Sequence, residues 1–597
     1  MPLIVQKFGG TSVADAEKIR SAARKAVRAQ QQGNQVLMVV SAMGKETDRL
    51  VNLAAEMNEK PPAREMDMLL STGEQVSVAL VAMAINEMDA KAVSLTGGQL
   101  GIRTDNTFTK ARIRSIDTQR IRDLLDAGNI VIAAGFQGID DDMNITTLGR
   151  GGSDTTAVAL AAVLNADTCE IYTDVDGVYT TDPRVLPEAR RVGVISYDEM
   201  LELASLGAGV MHSRSIEFAK KFGVPIHVRS SFSDIEGTMI VAEPESQTSA
   251  VCGCALTRDE ARVTVLGVPD VPGTSLEIFS IIAAQKIAVD MMVQSAGREG
   301  RADVSFTVRS TDLKPTLKAL LPVIDEIGAD GITHDDSVSK VSVVGLGMAE
   351  QFSVASRMFR ALANAEINIE MITTSEIKIS ALVPRDSAGA ALRSVHGAFG
   401  LDQEPQDAKT WPQIRDGREE TGADVETLVS RLRDDALEAV TLTGIQDTKD
   451  QAVVTLYGVP DKPGIAAEMF ESIGKAEIFV DMIVQGADGD DGQTSISFTV
   501  DSDSLEDSLA VANQLRDSYA LRLVDSRDNI AKLTVSGIGL RSHTSVGTIM
   551  FRCLANAEIN VQLIGTSELQ VNAVVDGDSA QSGLQHLERA FADSTDA

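Results

Sequence analysis

The sequence predicts an α/β domain, a sheet with helices on both faces, followed by four ferredoxin-like βαββαβ modules in a tandem duplication. Three observations carry this. Over the first 245 residues, β-prone runs alternate with segments of helical periodicity, and no internal repeat is found. Beyond them, VTVLGVPDVPG from Val263 recurs as VTLYGVPDKPG from Val454, an offset of 454 minus 263, or 191; FRALANAEINI from Phe359 recurs as FRCLANAEINV from Phe551, an offset of 192. Within the first copy, IAVDMMVQS ending at Ser295 aligns with INIEMITTS ending at Ser375, an offset of 80, so each copy holds two related modules.

In chain order, Leu3–Val5 is apolar and β-prone, and Ala14–Gln31 has the Ala, Lys, Arg and Gln content and spacing of a helix. The stretch between them, KFGGTSV, is a strand-to-helix turn with Ser12 as its predicted N-cap. VLMVVSAM, AVSLTG, NIVIAAGFQGI, CEIYTDV and PIHVRSS read as further strands. Ligands of such sheets bind beyond the carboxyl ends of the strands. Three of these ends carry polar clusters: VVSAMG at Ser41, TTLGRGGSDTTAVAL at Arg150 and TDVDGVYTTDPR at Thr173.

In the first module VTVLGV is a strand, Gly273–Gln285 a helix, AVDMMVQ and DVSFTV strands, Asp312–Ile327 a helix with Pro315 in its first turn, and Gly331–Asp335 a weak strand. The polar, Pro-containing stretch from Leu401 reads as a linker or exposed excursion. Domain limits follow at 1–245, then modules at 251–338, 339–400, 442–530 and 531–597, with 401–441 between the copies. VSVVGLGMAE imitates the start of a dinucleotide fingerprint, but Glu350 stands where a third glycine belongs. Gly345 and Gly347 therefore serve the turn after a strand.

Composition excludes several classes of function. The net charge is 54 minus 86, or −32, which opposes binding to nucleic acid or an anionic membrane. The apolar runs are short for a membrane span and the N-terminus has no secretory core, so a cytoplasmic protein is expected. The four cysteines, Cys169, Cys252, Cys254 and Cys553, are too scattered for a disulfide framework. Cys252 and Cys254 read as strand residues, because no His or Cys partner for a metal lies nearby.

The KFGGTSV turn offers backbone N–H groups, a helix N-terminus and a lysine charge, which together suit a phosphate. It is not a Walker A loop, because the lysine precedes the glycines. A tight turn beside a surface lysine is the alternative. GRGGSD supplies a second anion-suited helix start with a fixed cation at Arg150. DVDG lacks the flanking helices and closing Glu of a calcium loop.

Five motifs in this order, KFGGTSV from Lys7, VVSAMG from Val39, TGE from Thr72, GRGGSD from Gly149 and TDVDGVYTTDPR from Thr173, resemble the aspartate kinase family. That family joins an amino-acid-kinase domain to C-terminal ACT modules, and four of them resemble its cyanobacterial branch. The resemblance implies that Lys7 contacts the transferring phosphoryl group, that Gly9, Gly10 and Ser12 line the phosphates, and that Ser41 lies near the nucleotide. It implies an aspartate site from Thr47, Glu74, Arg150, Gly151, Gly152 and Ser153. Asp154 would organise the donors, and Thr173, Asp174, Tyr179 and Arg184 match nucleotide-site positions. Gly209 stands where some relatives have lysine.

The implied reaction is ATP-dependent, with Mg²⁺ carried by the nucleotide, and phosphorylates the side-chain carboxylate of L-aspartate. A carboxylate needs no general base, so none of the six histidines need be catalytic. Another kinase of this fold acting on glutamate or a nucleotide, and a non-catalytic amino-acid sensor, are the rival classes. The resemblance further implies a homodimer or higher homo-oligomer, feedback-inhibited by lysine and threonine bound between paired modules. Pairing first with second and third with fourth would set Asp270, Asp290 and Gln294 against Asn368, Ile369, Ser375 and Glu376. The second copy repeats these as Asp461, Asp481, Gln485, Asn560, Val561, Ser567 and Glu568.

Overall fold

Leu3–Phe8, Gln35–Val40, Ile130–Ala134 and Thr168–Thr173 are near-continuous apolar runs, the pattern of strands covered on both faces, and they form the middle of a sheet. The computed structural model describes residues 1–207, 210–294, 300–351, 353–416, 437–438, 441–488, 492–540 and 545–595. The chain divides into two units. The first comprises Met1–Tyr179, Arg191–Ser246 and Asp407–Ala439; the second comprises Thr180–Arg190, Gln247–Gln406 and Val440–Ala597.

The sheet of the first unit has eight strands in the order Val194–Ser196, Thr238–Val241, Ile226–Ser230, Thr168–Thr173, Leu3–Phe8, Gln35–Val40, Ile130–Ala134 and Ala92–Leu95. Thr168–Thr173, Leu3–Phe8 and Gln35–Val40 run parallel, with Phe8 level with both Val40 and Tyr172. Their following loops, KFGG, SAMG and TDVDG, therefore emerge at one edge. Val36, Met38 and Val40 share a core with Ile19, Ala23, Val81 and Ile85 of the helices Ala16–Gln31 and Ala63–Asn86. Leu37 and Val39 alternate to the other face, and the Gly152–Val163 helix packs on the same strands.

In a second, four-stranded sheet, Ile113–Ile116, Ile102–Thr104, Gln137–Ile139 and Ile145–Thr147, the run read as one strand, NIVIAAGFQGI, contributes only its end, and the other three go unread because strands of three or four residues carry no periodicity. The helix Ala63–Asn86 is long and apolar enough to cross a membrane by length and composition alone. Its Leu70, Val78, Val81 and Ile85 are instead buried within this unit. Ser12 is not the N-cap: Gly10–Val13 forms a 3₁₀ turn, and the helix starts at Ala16, where the Asp15 carboxylate accepts from Lys18 N at 2.9 Å.

The second unit holds a twelve-stranded sheet to which all four modules contribute. Gly253–Pro269 pairs with Gly331–Val344 along nearly its whole length, and the two strands serve two modules end to end. Arg262–Leu266 with Asp335–Gly331 belongs to the first module. Gly253–Thr257 with Val344–Lys340 completes the strands of the second. Thr441–Pro460 and Leu523–Ile538 repeat this device in the second copy.

This strand sharing corrects the expected module pairing. Modules adjacent in sequence already hold one another through their long strands, which leaves their helices to meet the other copy. Phe359 of the second module lies 5.6 Å from Phe470 of the third, and Phe279 of the first lies 6.1 Å from Phe551 of the fourth, between ring centroids. One core joins second and third modules, another joins first and fourth. The edges of second and third also pair directly, Ile372 with Gln485.

Of the stretch read as linker or exposed excursion, residues 401–406 belong to the second unit, and the described residues from Asp407 to 438 belong to the first. Trp411–Asp416 is a helix whose Ile414 packs on Val194, Met239 and Val241, and Leu437 is buried.

Candidate active site

The strand Leu3–Phe8 delivers Lys7 to the edge where its chain turns through Gly9 and Gly10. Lys7 is 9 % exposed, and its Nζ lies 2.5 Å from Asp154 Oδ1, in the first turn of the helix Gly152–Val163. This contact brings the glycine turn and the GRGGSD helix start together. The surface-lysine alternative is thereby excluded. A Cβ on Gly10 would stand 2.8 Å from Ala42 O, so a glycine is needed there for the SAMG loop to approach. Gly9 meets no such obstacle, and its nearest side-chain neighbour is Lys7 Nζ. Ser12 Oγ shares a hydrogen bond of 2.5 Å with Ser231 Oγ.

Ser41 follows the strand Gln35–Val40, its N–H donating to Phe8 O, and Thr47 is the second residue of the helix Glu46–Met57. Glu74 is buried in Ala63–Asn86. Its Oε1 accepts from Ala42 N at 3.1 Å, while Oε2 is buried without a partner. Burial pushes its carboxyl up to about 7. A carboxylate with a vacant buried oxygen at the edge of the SAMG loop suits an ammonium ligand.

Arg150 is exposed. The loop that carries it is fixed by backbone requirements: Gly149 and Gly151 have φ of 77° and 71°, and a Cβ on Gly151 would fall 2.4 Å from His212 Cβ. A Cβ on Gly152 would meet Phe136 and Leu148 below 3.0 Å. Ser153 is buried against Gly135. Two groups that sequence reasoning missed hold this loop. Asp67, fully buried, accepts from Thr109 N, Thr147 N and Thr147 Oγ1. Arg214 donates to Leu148 O at 2.6 Å and Ala111 O at 2.7 Å. Neither sits in a recognisable motif, because each acts on backbone carbonyls or N–H groups distant in sequence.

Thr173 ends its strand, donating to Asp174 Oδ1, and Tyr179 OH donates to Asp176. Arg184 is exposed and paired with Asp182 at 2.8 Å. Gly209 lies outside the described residues. Cys254 is a buried strand residue, its thiol pushed up to about 12 by burial. Among the described residues no group of three or more His, Cys, Asp or Glu is placed to hold a metal.

In the second unit the candidate effector residues fall into two equivalent settings. Asn560 donates to Asp270 at 2.8 Å and Gln294 to Val561 O at 3.0 Å; Asn368 donates to Asp461 at 2.7 Å and Gln485 to Ile369 O at 3.0 Å. The residues chosen from sequence thus meet, but across first with fourth and second with third modules. Asp290 and Asp481 are engaged by Lys340 and Lys532. Asp290 and Ser567 border a cavity of about 130 Å³, and Asp481, Ser375 and Glu376 border its counterpart of about 70 Å³. Gln570 donates to Glu376, and Glu568 is buried.

The sequence pattern of the amino acid kinase family matches residues 2–230, and that of the ACT domain matches 341–399, 454–514 and 533–591. The first unit is thus an amino acid kinase, and the second is built from ACT domains. The chain is 50 % identical over 404 residues to the aspartate kinase Ask_LysC of Stutzerimonas stutzeri (strain A1501), covering 67 % of this chain and 98 % of that one. The crystal structure of aspartate kinase from Synechocystis matches at 38 % identity and a TM-score of 0.52, covering 99 % of this chain and 98 % of its own. E. coli aspartokinase III, solved with aspartate and ADP and again with lysine and aspartate, matches at 26 % identity with TM-scores of 0.56 and 0.54, over 66 % of this chain and 99 % of its own. The chain belongs to the aspartate kinase family. It is an enzyme, a phosphotransferase with a carboxyl group as acceptor.

Proposed function

We propose that this enzyme transfers the ATP γ-phosphoryl to the side-chain carboxylate of L-aspartate, giving 4-phospho-L-aspartate, the first step towards lysine, threonine and methionine. The observation that carries the site assignment is the 2.5 Å contact of Lys7 with Asp154, which joins the phosphate-suited turn to the acceptor-loop helix. Lys7 meets the charge of the transferring group, with Gly9, Gly10 and Ser12 along the phosphates and Ser41, Thr173, Asp174 and Tyr179 towards the nucleotide. Arg184 is assigned to the nucleotide by the family resemblance.

Glu74 takes the acceptor's ammonium through its vacant Oε2, Arg150 its α-carboxylate, and Thr47 with Gly151, Gly152 and Ser153 shapes the remainder. The free carboxylate oxygen attacks the γ-phosphorus as the bond to the β–γ bridging oxygen breaks, and ADP leaves. No proton is moved. Mg²⁺ carried by the nucleotide would supply charge neutralisation at the phosphates. Asp154, already at the Lys7 ammonium, would hold it there.

Lysine and threonine bound at the Asp270 and Asp461 settings would act as feedback inhibitors, a role supported by the lysine found in the E. coli relative. We take the domain limits 1–245, 251–338, 339–400, 442–530 and 531–597 as functional units, and place the protein in the cytoplasm as a homo-oligomer. The direct test is an ADP-release assay over aspartate, glutamate, acetylglutamate and UMP, with the acyl phosphate trapped by hydroxylamine. Turnover with aspartate alone supports the reading; preference for another acceptor overturns it.

A further inference from the structure

We infer that Glu438 is a positioning residue for the acceptor loop, acting through Arg214. The inference rests on the assignment of Arg150 to the acceptor. Glu438 lies in the stretch between the two module copies, far from every motif, yet its side chain is only 6 % exposed. Its Oε2 accepts from Arg214 Nε at 2.8 Å and also from Nη2, and its Oε1 accepts from Ile113 N at 3.2 Å. Leu437 beside it is buried, its carbonyl accepting from Lys221 Nζ and its N–H donating to Arg114 O.

Arg214 spends its remaining donors on two carbonyls that bracket the acceptor loop. Nη1 donates to Leu148 O, one residue before Gly149, and Nη2 donates to Ala111 O, whose own N–H donates to Thr147 O. Arg214 therefore ties the strand end at Thr147–Leu148 to the 111–113 segment, directly ahead of Arg150. His212, two residues earlier, is the wall against which Gly151 closes.

A guanidinium only 16 % exposed needs a counter-charge, and Arg112 nearby adds a second positive charge. Glu438 supplies it. Burial alone would raise its carboxyl, and the Arg214 cation opposes that shift. Without the carboxylate, the Arg214 and Arg112 cations lose a shared counter-charge, with only Asp105 and Glu217 left to act on Arg112, and the guanidinium fork loses the partner that fixes its plane. The loop would then sample positions in which Arg150 no longer meets the acceptor. Displacements of this kind cost catalysis out of proportion to their size.

The test is steady-state kinetics and amide hydrogen exchange on the full chain carrying Glu438→Gln, Glu438→Ala and Glu438→Asp, with Arg150→Ala alongside. We expect Glu438→Gln to raise KM for aspartate roughly tenfold, KM for ATP to stay within about twofold, and Glu438→Asp to restore part of the loss. Exchange should quicken at residues 147–151 and not at 7–12. Combining Glu438→Ala with Arg214→Ala should cost no more than the worse single change. Unchanged KM for aspartate in Glu438→Gln, equal rises in both KM values, or exchange that quickens everywhere would overturn the inference. If Glu438→Ala fails to fold, the isosteric Gln variant decides. An unchanged KM in Arg150→Ala would instead defeat the acceptor assignment itself.

Discussion

The Lys7 ammonium lies 2.5 Å from Asp154 Oδ1, so the proposed phosphoryl contact is held by the helix that follows the acceptor loop. An ion pair this enclosed fixes the ammonium in position, and charge held ready in this way stabilises a transition state without reorganisation. Lys7→Ala should lower kcat by about 10² to 10³. It should also cost some stability, because Asp154 loses its partner in a half-buried site. Thermal melts and single-turnover ADP release separate the two effects. Near-normal turnover would sink the role.

Glu74 gives a pH dependence with a defined sign. Burial raises its carboxyl to about 7, above the unfolded value of 4.5, so the folded apoenzyme holds the proton more tightly than the unfolded chain does. The resulting penalty is absent below the unfolded value, grows between the two and is complete above pH 7. Ammonium binding needs the ionised form, so KM for aspartate should rise as pH falls from 8 to 6. Glu74→Gln should melt higher than the parent at pH 8, lose that advantage near pH 5, and lose aspartate affinity throughout. A flat KM profile across this range would count against the carboxylate's role.

Much of this was legible in the sequence, and the failures have physical causes. The glycine turn, the strand ends and both repeats rest on local chemistry, so KFGGTSV and VPDVPG could be read without coordinates. The module pairing could not. The 17-residue strand Gly253–Pro269 reads as one strand per module, and only its register with Gly331–Val344 reveals that it serves two. Asp67, Arg214 and Glu438 were likewise invisible, since their partners are carbonyls, N–H groups and charges up to 325 residues away.

Arg150 and Glu74 are proposed to hold the two charges of the amino acid backbone, one from an exposed loop and one from a buried helix. Arg150→Ala and Glu74→Ala should each raise KM for aspartate by 10- to 100-fold, the scale of a charge-assisted contact worth about 1.5 to 3 kcal/mol. KM for ATP should move much less. If the ATP value moves most, the substrates have been placed the wrong way round.

The duplicated regulatory half makes the sharpest demand, because the pairing of modules dictates which variants must resemble one another. Asp270 is held by Asn560, and Asp461 by Asn368. An amino-acid effector at either setting would meet the Asp carboxylate with its ammonium and strand backbone groups with its carboxylate. Coupling of about 1 to 3 kcal/mol per site would shift activity roughly 5- to 150-fold. Asp270→Ala and Asp461→Ala should each relieve part of the inhibition by lysine or threonine, and the double variant should be relieved further. Asn560→Ala should then reproduce the phenotype of Asp270→Ala, and Asn368→Ala that of Asp461→Ala. Pairing by sequence order would demand the reverse, with Asn368 following Asp270. Calorimetry of each variant with lysine and with threonine, beside inhibition curves, distinguishes these outcomes. No heat with either amino acid in the parent enzyme, and unchanged inhibition in the double Asp variant, would remove both settings from the regulatory mechanism.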